Sequence, residues 1–253
     1  MFLTRRDFLL LTTAGIAGSF VPLPAPAGES LPAQIKAIAF DAFPIFDPRT
    51  VFALVEQLFP GHGRELSEAW RTRQFEYTWL RVAEQDYADF WQVTREALEF
   101  AAAQLKLELP VEKRDALMNA YLAMKAWPDV IPALEILKKS GRRLALLSNL
   151  TPKMLAENIH SAGLKGYFDR VISTDEARTY KPDPRAYQLG PDQLGFKKGE
   201  ILFVAFAGWD AAGAKHFGFP TYWVNRLKLP PEKLDADPDA TGETLADLVS
   251  FLS

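Results

Sequence analysis

From Gly141 onward the chain alternates short apolar segments with helix-period segments, and few folds accept that rhythm. Residues 144–147 read as a buried strand ending at Ser148-Asn149, and Thr151-Pro152 opens a helix to about Ala162. Residues 168–173 form the next strand, Lys181 falls in the loop after it, and Pro184 starts another helix. Residues 201–206, 211–217 and 221–224 then read as strand, helix and strand. Strands separated by helices pair in parallel, because only a crossover brings the chain back to the same sheet end. A parallel sheet needs helices on both faces. The fold class expected is therefore α/β, built on a doubly wound parallel sheet.

The first strand lies far upstream. Residues 35–40 are apolar and end at Asp41, and Pro44 stops any ladder. Helix-period segments then occupy 51–59, 63–83, 87–105 and 111–125 with no strand pattern between them. They read as a helical insertion at 49–126, dividing a core made of 28–48 and 127–253. Trp127-Pro128-Asp129 opens a helix that runs to Lys139 and stops near Gly141. Lys138, Lys139, Arg142 and Arg143 at its end offset the helix dipole on a solvated face.

Composition narrows the function classes. At 253 residues and 48% hydrophobic, the chain can build its own core without metal or disulfide support. A net charge of −3 argues against phosphate-neutralising contact with nucleic acid. The absence of cysteine excludes thiolate chemistry and thiolate metal sites. The three histidines, His62, His160 and His216, show no metal-ligand spacing. At the N-terminus, Arg5-Arg6 precedes Phe8-Leu9, a mildly apolar run and the small-x-small pattern Ala25-Pro26-Ala27. Residues 1–27 are expected to be a cleaved twin-arginine export signal, making the export machinery a partner and the periplasm the working compartment. A lasting membrane partner is not expected, since Gly15, Gly18 and the prolines break the run.

In doubly wound sheets the ligand lies off the carboxyl ends of the strands. The polar residues falling there are Asp41, Ser148 with Asn149, Lys181 and Asp210. Lys181 can hold an apolar-strand carboxylate ionised. An ionised, poorly solvated Asp41 can form a covalent ester that water then cleaves. Asp210 can hold Lys181 or help activate that water. A buried ion-pair cluster stabilising the sheet edge uses the same residues, and both readings stand at this point.

Taken in order, Asp41, Ser148-Asn149, Tyr180-Lys181-Pro182 and Trp209-Asp210 resemble the haloacid dehalogenase superfamily. Trp70-Arg71, the run from Glu76 to Arg81, Phe90-Trp91, Tyr187 and Asn225-Arg226 narrow the resemblance to its (S)-2-haloacid, or type II, dehalogenases. The resemblance covers the chain after residue 27. It implies a modified Rossmann core with an inserted helical cap, often in a homodimer, acting on small-molecule 2-haloacids. It also implies roles: Asp41 attacks C2 and displaces halide with inversion, Arg71 and Asn149 receive the halide, and Ser148 receives the substrate carboxylate. Lys181 orients and neutralises Asp41, Asp210 matches a further polar position of the catalytic set and Tyr187 one of the substrate-binding set, and Phe75, Phe90 and Trp209 match apolar positions around the substrate. Alone, Arg71 reads equally as a surface residue and the three aromatics as core.

Phe43 separates chemistries within the superfamily. Its phosphatases place a second Asp there to protonate a leaving oxygen and help hold magnesium. Halide needs no general acid, so Phe43, as part of the substrate site, fits dehalogenation without metal or other cofactor. The chain also departs from the family: Ala205 and Ala207 replace the usual Ser and Asn, and Pro44-Ile45 the usual Gly and Thr. The expectation is an active dehalogenase with a drier pocket. The alternatives are a catalytically impaired periplasmic binding protein for small 2-substituted carboxylates, or a hydrolase of another small ester or phosphate.

Overall fold

Residues 30–253 are described by a computed structural model, and the export-signal reading of 1–27 falls outside the described residues. A short turn of helix, α1 (Leu31–Gln34), leads into β1 (Ala37–Phe40). A two-residue strand, β2 (Phe46–Asp47), precedes four helices, α2 (Arg49–Leu58), α3 (Gly63–Glu84), α4 (Phe90–Gln104) and α5 (Val111–Ala120). After β3 (Lys125–Ala126) come α6 (Val130–Lys139), β4 (Arg143–Ser148), α7 (Pro152–Ser161) and β5 (Arg170–Ser173). The chain continues through α8 (Pro184–Leu194), β6 (Ile201–Ala205), α9 (Gly208–Phe217) and β7 (Thr221–Val224). It ends with β8 (Ala240–Gly242) and α10 (Leu245–Leu252).

Six strands form one parallel sheet in the order β5-β4-β1-β6-β7-β8. Phe40 sits opposite Leu146 on one side and Val204 on the other. The chain steps outward from β1 through β4 to β5, then returns to build β6, β7 and β8 on the other flank. That reversal makes the carboxyl end of β1 the topological switch point, where an open α/β sheet leaves a crevice. Both faces of β1 are buried, but they differ. Ile38 and Phe40 enter a core shared with α6, α7, α10 and the helical insertion, whereas Ala37 and Ala39 face the core against α8 and α9. The small side chains on that second face let α8 and α9 approach the sheet closely.

The insertion is fixed by polar contacts within an apolar interior. Asp89 caps α4, its carboxylate accepting from the Gln92 amide at 2.8 Å. Trp70 Nε1 of α3 donates to the Thr94 carbonyl of α4 at 2.8 Å, and Gln74 Nε2 donates to Thr94 Oγ1 at 2.6 Å. Tyr87 Oη donates to Asp175 Oδ1 at 2.5 Å, and Tyr180 Oη to the Ala88 carbonyl, tying the insertion to the loop that carries Lys181.

Three local expectations are corrected. The helix expected to reach Lys125 ends at Ala120, and β3 pairs antiparallel with β2 to join the insertion's entry to its exit. A two-residue ribbon has no periodicity to read. Helix α9 starts at Gly208 rather than Ala211, so Trp209 and Asp210 lie in its first turn, where an acidic side chain is favoured by the helix dipole. Strand β8 and helix α10 were not anticipated, although Thr244 and Asp247 form a reciprocal capping box before an apolar run. No helix among the described residues is long and apolar enough to cross a membrane.

Candidate active site

Asp41 follows the last residue of β1 directly, and its backbone amide still donates to the Val204 carbonyl of β6 at 2.9 Å. The ladder therefore fixes where the carboxylate begins. Its Oδ2 accepts from the Phe43 amide at 3.2 Å, and its Oδ1 accepts from Lys181 Nζ at 2.8 Å. The turn after Asp41 is held from outside: Trp127 Nε1 donates to the Phe43 carbonyl at 2.9 Å and Arg226 Nη2 to the Pro44 carbonyl at 3.0 Å. Two guanidinium groups lie over the Trp127 indole, Arg49 at 4.3 Å and Arg226 at 4.6 Å from a ring centroid.

Lys181 is buried with its ammonium between two carboxylates, the second being Asp210 Oδ2 at 2.6 Å. Burial alone would lower the lysine pKa, but Asp210 and Asp41 outweigh it and hold the pKa above its ordinary value. For Asp210 the balance goes the other way. Burial, opposed by Lys181 and reinforced by the charge of Asp41, pushes its carboxyl up to about 6. Asn149 positions the lysine from behind: its Oδ1 accepts from the Lys181 amide at 3.0 Å and from Thr174 Oγ1 at 3.2 Å. That leaves the Asn149 amide group to face the cavity. Ser148 Oγ accepts from the Leu150 amide at 3.2 Å, so its hydroxyl proton remains available to an acceptor in the cavity.

Tyr187 is corrected in role. It does not line the cavity but lies behind Asp210, donating to Asp210 Oδ1 at 2.7 Å, because α8 packs beneath the first turn of α9. Gly213 makes this possible: a Cβ there would come within 2.6 Å of Tyr187 Oη and 2.7 Å of Pro182. Burial and the Asp210 carboxylate keep the Tyr187 phenol protonated well above its usual range.

In front of Asp41 lies a cavity of about 290 Å³. Asp41, Ser148, Asn149, Lys181 and Asp210 form its polar floor, and Arg71, Phe75 and Phe90 reach it from the insertion. Phe43 and Trp209 complete the set of expected residues that it gathers. Arg71 has no carboxylate within ion-pair distance among the described residues, which leaves it free for an anion. Trp209 packs edge-on against Phe75 at 5.4 Å and Trp79 at 5.5 Å, bridging core and insertion. Sequence reasoning missed Tyr121, Trp127, Phe206, Leu227 and Leu229, which also line the cavity. Each reads locally as core or surface, and only chain crossing brings them to one place. Ala205 is wholly buried at the end of β6, whereas Ala207 lines the cavity and caps α9 with no side-chain hydrogen bond. No three His, Cys, Asp or Glu side chains among the described residues come together as cation ligands.

A lysine-neutralised aspartate at the switch point of a parallel sheet, facing a cavity roofed by inserted helices, suits an enzyme of parallel α/β fold that works through a buried carboxylate. Residues 35–218 match the haloacid dehalogenase-like hydrolase family. An (S)-2-haloacid dehalogenase of Pseudomonas sp. (strain YL) is 42% identical over 206 residues, covering 81% of this chain and 89% of its own. A crystal structure of an L-2-haloacid dehalogenase superposes with a TM-score of 0.85 at 44% identity, covering 86% of this chain and 98% of that one. That of the Xanthobacter autotrophicus enzyme with chloropropionic acid covalently bound gives 0.81 at 35% identity, covering 86% and 98%. The chain belongs to the haloacid dehalogenase-like hydrolases, in the branch of the (S)-2-haloacid dehalogenases.

Proposed function

We propose that the protein hydrolyses (S)-2-haloalkanoic acids to (R)-2-hydroxy acids through an ester on Asp41. The observation that carries this reading is the Asp41 carboxylate itself, oriented by the Phe43 amide and Lys181 and open to an otherwise largely apolar cavity. One carboxylate oxygen attacks C2 from the face opposite the halogen. The carbon–halogen bond breaks, its electron pair leaves with the halide, and the configuration at C2 inverts. Arg71 and the Asn149 amide receive the halide, while the Ser148 hydroxyl donates to the substrate carboxylate. Water then adds to the ester carbon of Asp41. Collapse regenerates the Asp41 carboxylate and releases the hydroxy acid with one proton.

Halide release from (S)-2-chloropropanoate, with none from the (R) isomer and no effect of EDTA, is the expected result. Folded protein that releases no halide from either isomer would remove the reading.

The rate should also report on Asp210. Its carboxyl, raised to about 6, is protonated below that pH and ionised above it, so kcat should rise with pH through about 6. It should then stay high into the mildly alkaline range, because the two carboxylates hold Lys181 charged beyond its ordinary value. A flat profile through pH 6 would take Asp210 out of the rate-limiting step.

Export to the periplasm is part of the same proposal. Its support is the Arg5-Arg6 pair, the apolar run and the Ala25-Pro26-Ala27 pattern, together with a reaction needing only water as co-substrate. A homodimer is likewise proposed on the family resemblance alone.

A further inference from the structure

The cavity has more apolar wall than a three-carbon acid uses. At roughly 10–15 Å³ of such space per water, a cavity of about 290 Å³ holds far more than the six non-hydrogen atoms of 2-chloropropanoate fill. Two separate aromatic walls flank the polar floor. One is Phe75 with Trp209, their ring centroids 5.4 Å apart. The other comes from the core: Phe206, with Phe43 at 6.1 Å and Trp127 at 6.5 Å between ring centroids.

Phe206 lies between Ala205 and Ala207, and the Ala207 side chain brings a methyl and no polar atom to the cavity surface. The wall is also rigid. The Phe206 carbonyl accepts from Trp223 Nε1 at 3.0 Å, and Trp127 is fixed by its bond to the Phe43 carbonyl. Leu227 and Leu229, 42% and 46% exposed, line the same cavity from the loop after β7. Apolar side chains left this exposed beside a rigid aromatic wall lose their contact with water when a ligand ring covers them.

We infer that the wall of Phe206, Phe43 and Trp127 is a subsite for an aryl group on the substrate, so that the preferred substrates are 2-haloacids with an aromatic side chain. Aromatic rings favour edge-to-face and offset contact with an aryl group over contact with a methyl, which selects such a substituent. The inference rests on the dehalogenase reading above for the placement of C2 at Asp41. It concerns only where the C2 substituent goes.

The test compares halide release from (S)-2-chloro-3-phenylpropanoate and (S)-2-chloropropanoate by the whole protein and its Phe206→Ala and Leu229→Ala variants. The expected result is a kcat/KM about tenfold or more in favour of the phenyl compound, with that ratio falling in Phe206→Ala. Leu229 lies on an exposed loop, so a fall of the ratio in Leu229→Ala supports the same subsite without burdening the fold. A ratio that favours chloropropanoate overturns the inference and leaves the dehalogenase reading intact. If neither compound releases halide, the dehalogenase reading fails. Calorimetric titration with (R)-3-phenyllactate and (R)-lactate then decides the subsite alone. Tighter binding of phenyllactate supports it, and equal binding overturns it.

Discussion

Replacing Asp41 by Asn should abolish halide release, with a loss of about 10⁴-fold or more and little change in folding. The amide keeps the shape, but its single oxygen can accept from either the Phe43 amide or Lys181 and not from both, and it lacks the charge that makes the carboxylate a nucleophile. Loss of the group that forms the covalent bond removes a whole step, and such losses are the largest that single substitutions cause. In the parent protein, one turnover in heavy-oxygen water should place the label in Asp41 and none in the product, because the product hydroxyl comes from the carboxylate. Ala205 and Ala207 add a second expectation. With no side-chain oxygen beside the cavity at Ala207, the attacking water is poorly held and ester hydrolysis becomes the slower step. Acid-quenched steady-state samples should therefore carry an adduct on the Asp41 peptide. Steady turnover without any adduct would show that hydrolysis outruns attack, and label appearing in the first product would rule out the ester.

Lys181→Met should cost both catalysis and stability, and the stability loss should depend on pH. The ammonium is buried between Asp41 and Asp210, so its removal leaves two facing carboxylates with no counter-charge. Breaking a buried ion pair from one side costs about 3–5 kcal/mol. Like-charge repulsion then raises a carboxyl pKa in the folded variant above its unfolded value. A group with a raised folded pKa binds its proton more tightly in the native state, so the variant is relatively stabilised at low pH. That stabilisation is lost as pH rises through the raised value. Unfolding should therefore show a large deficit against the parent at mildly alkaline pH and a smaller one at mildly acidic pH. Equal deficits at both would mean that the lysine contributes packing rather than charge. Activity should fall by about 10³-fold, since Asp41 loses both its orientation and its charge partner.

Much of the core was legible in the sequence because its signals are local. Strands β1, β4 and β6 are largely apolar runs, as burial on both faces demands; β1 and β4 stop at the polar residues Asp41 and Ser148, whereas β6 ends at Ala205. Asp41, Ser148, Asn149 and Lys181 could be placed at those ends because strand direction in a parallel sheet is fixed by the crossovers. Asp210 reads from sequence as lying at the same end, just ahead of the helix at 211–217. It belongs to the first turn of α9, where the helix aims its carboxylate at Lys181. Tyr187 was singled out by resemblance, but only the packing of α8 under α9, permitted by Gly213, shows that it serves Asp210 and not a ligand.

Contiguous residues carry the signals for β1, β4, β5, β6 and β7, the helical insertion and the charged floor of the cavity, since apolar periodicity and strand ends are local, while β8 escaped them. The cavity's walls follow from tertiary packing alone. Phe43, Trp127 and Phe206, with Leu227 and Leu229, come from four separate stretches of chain, and aromatic or leucine side chains look alike whether they fill a core or line a pocket. What distinguishes them is whether another chain segment occupies the space in front, and that depends on non-local packing.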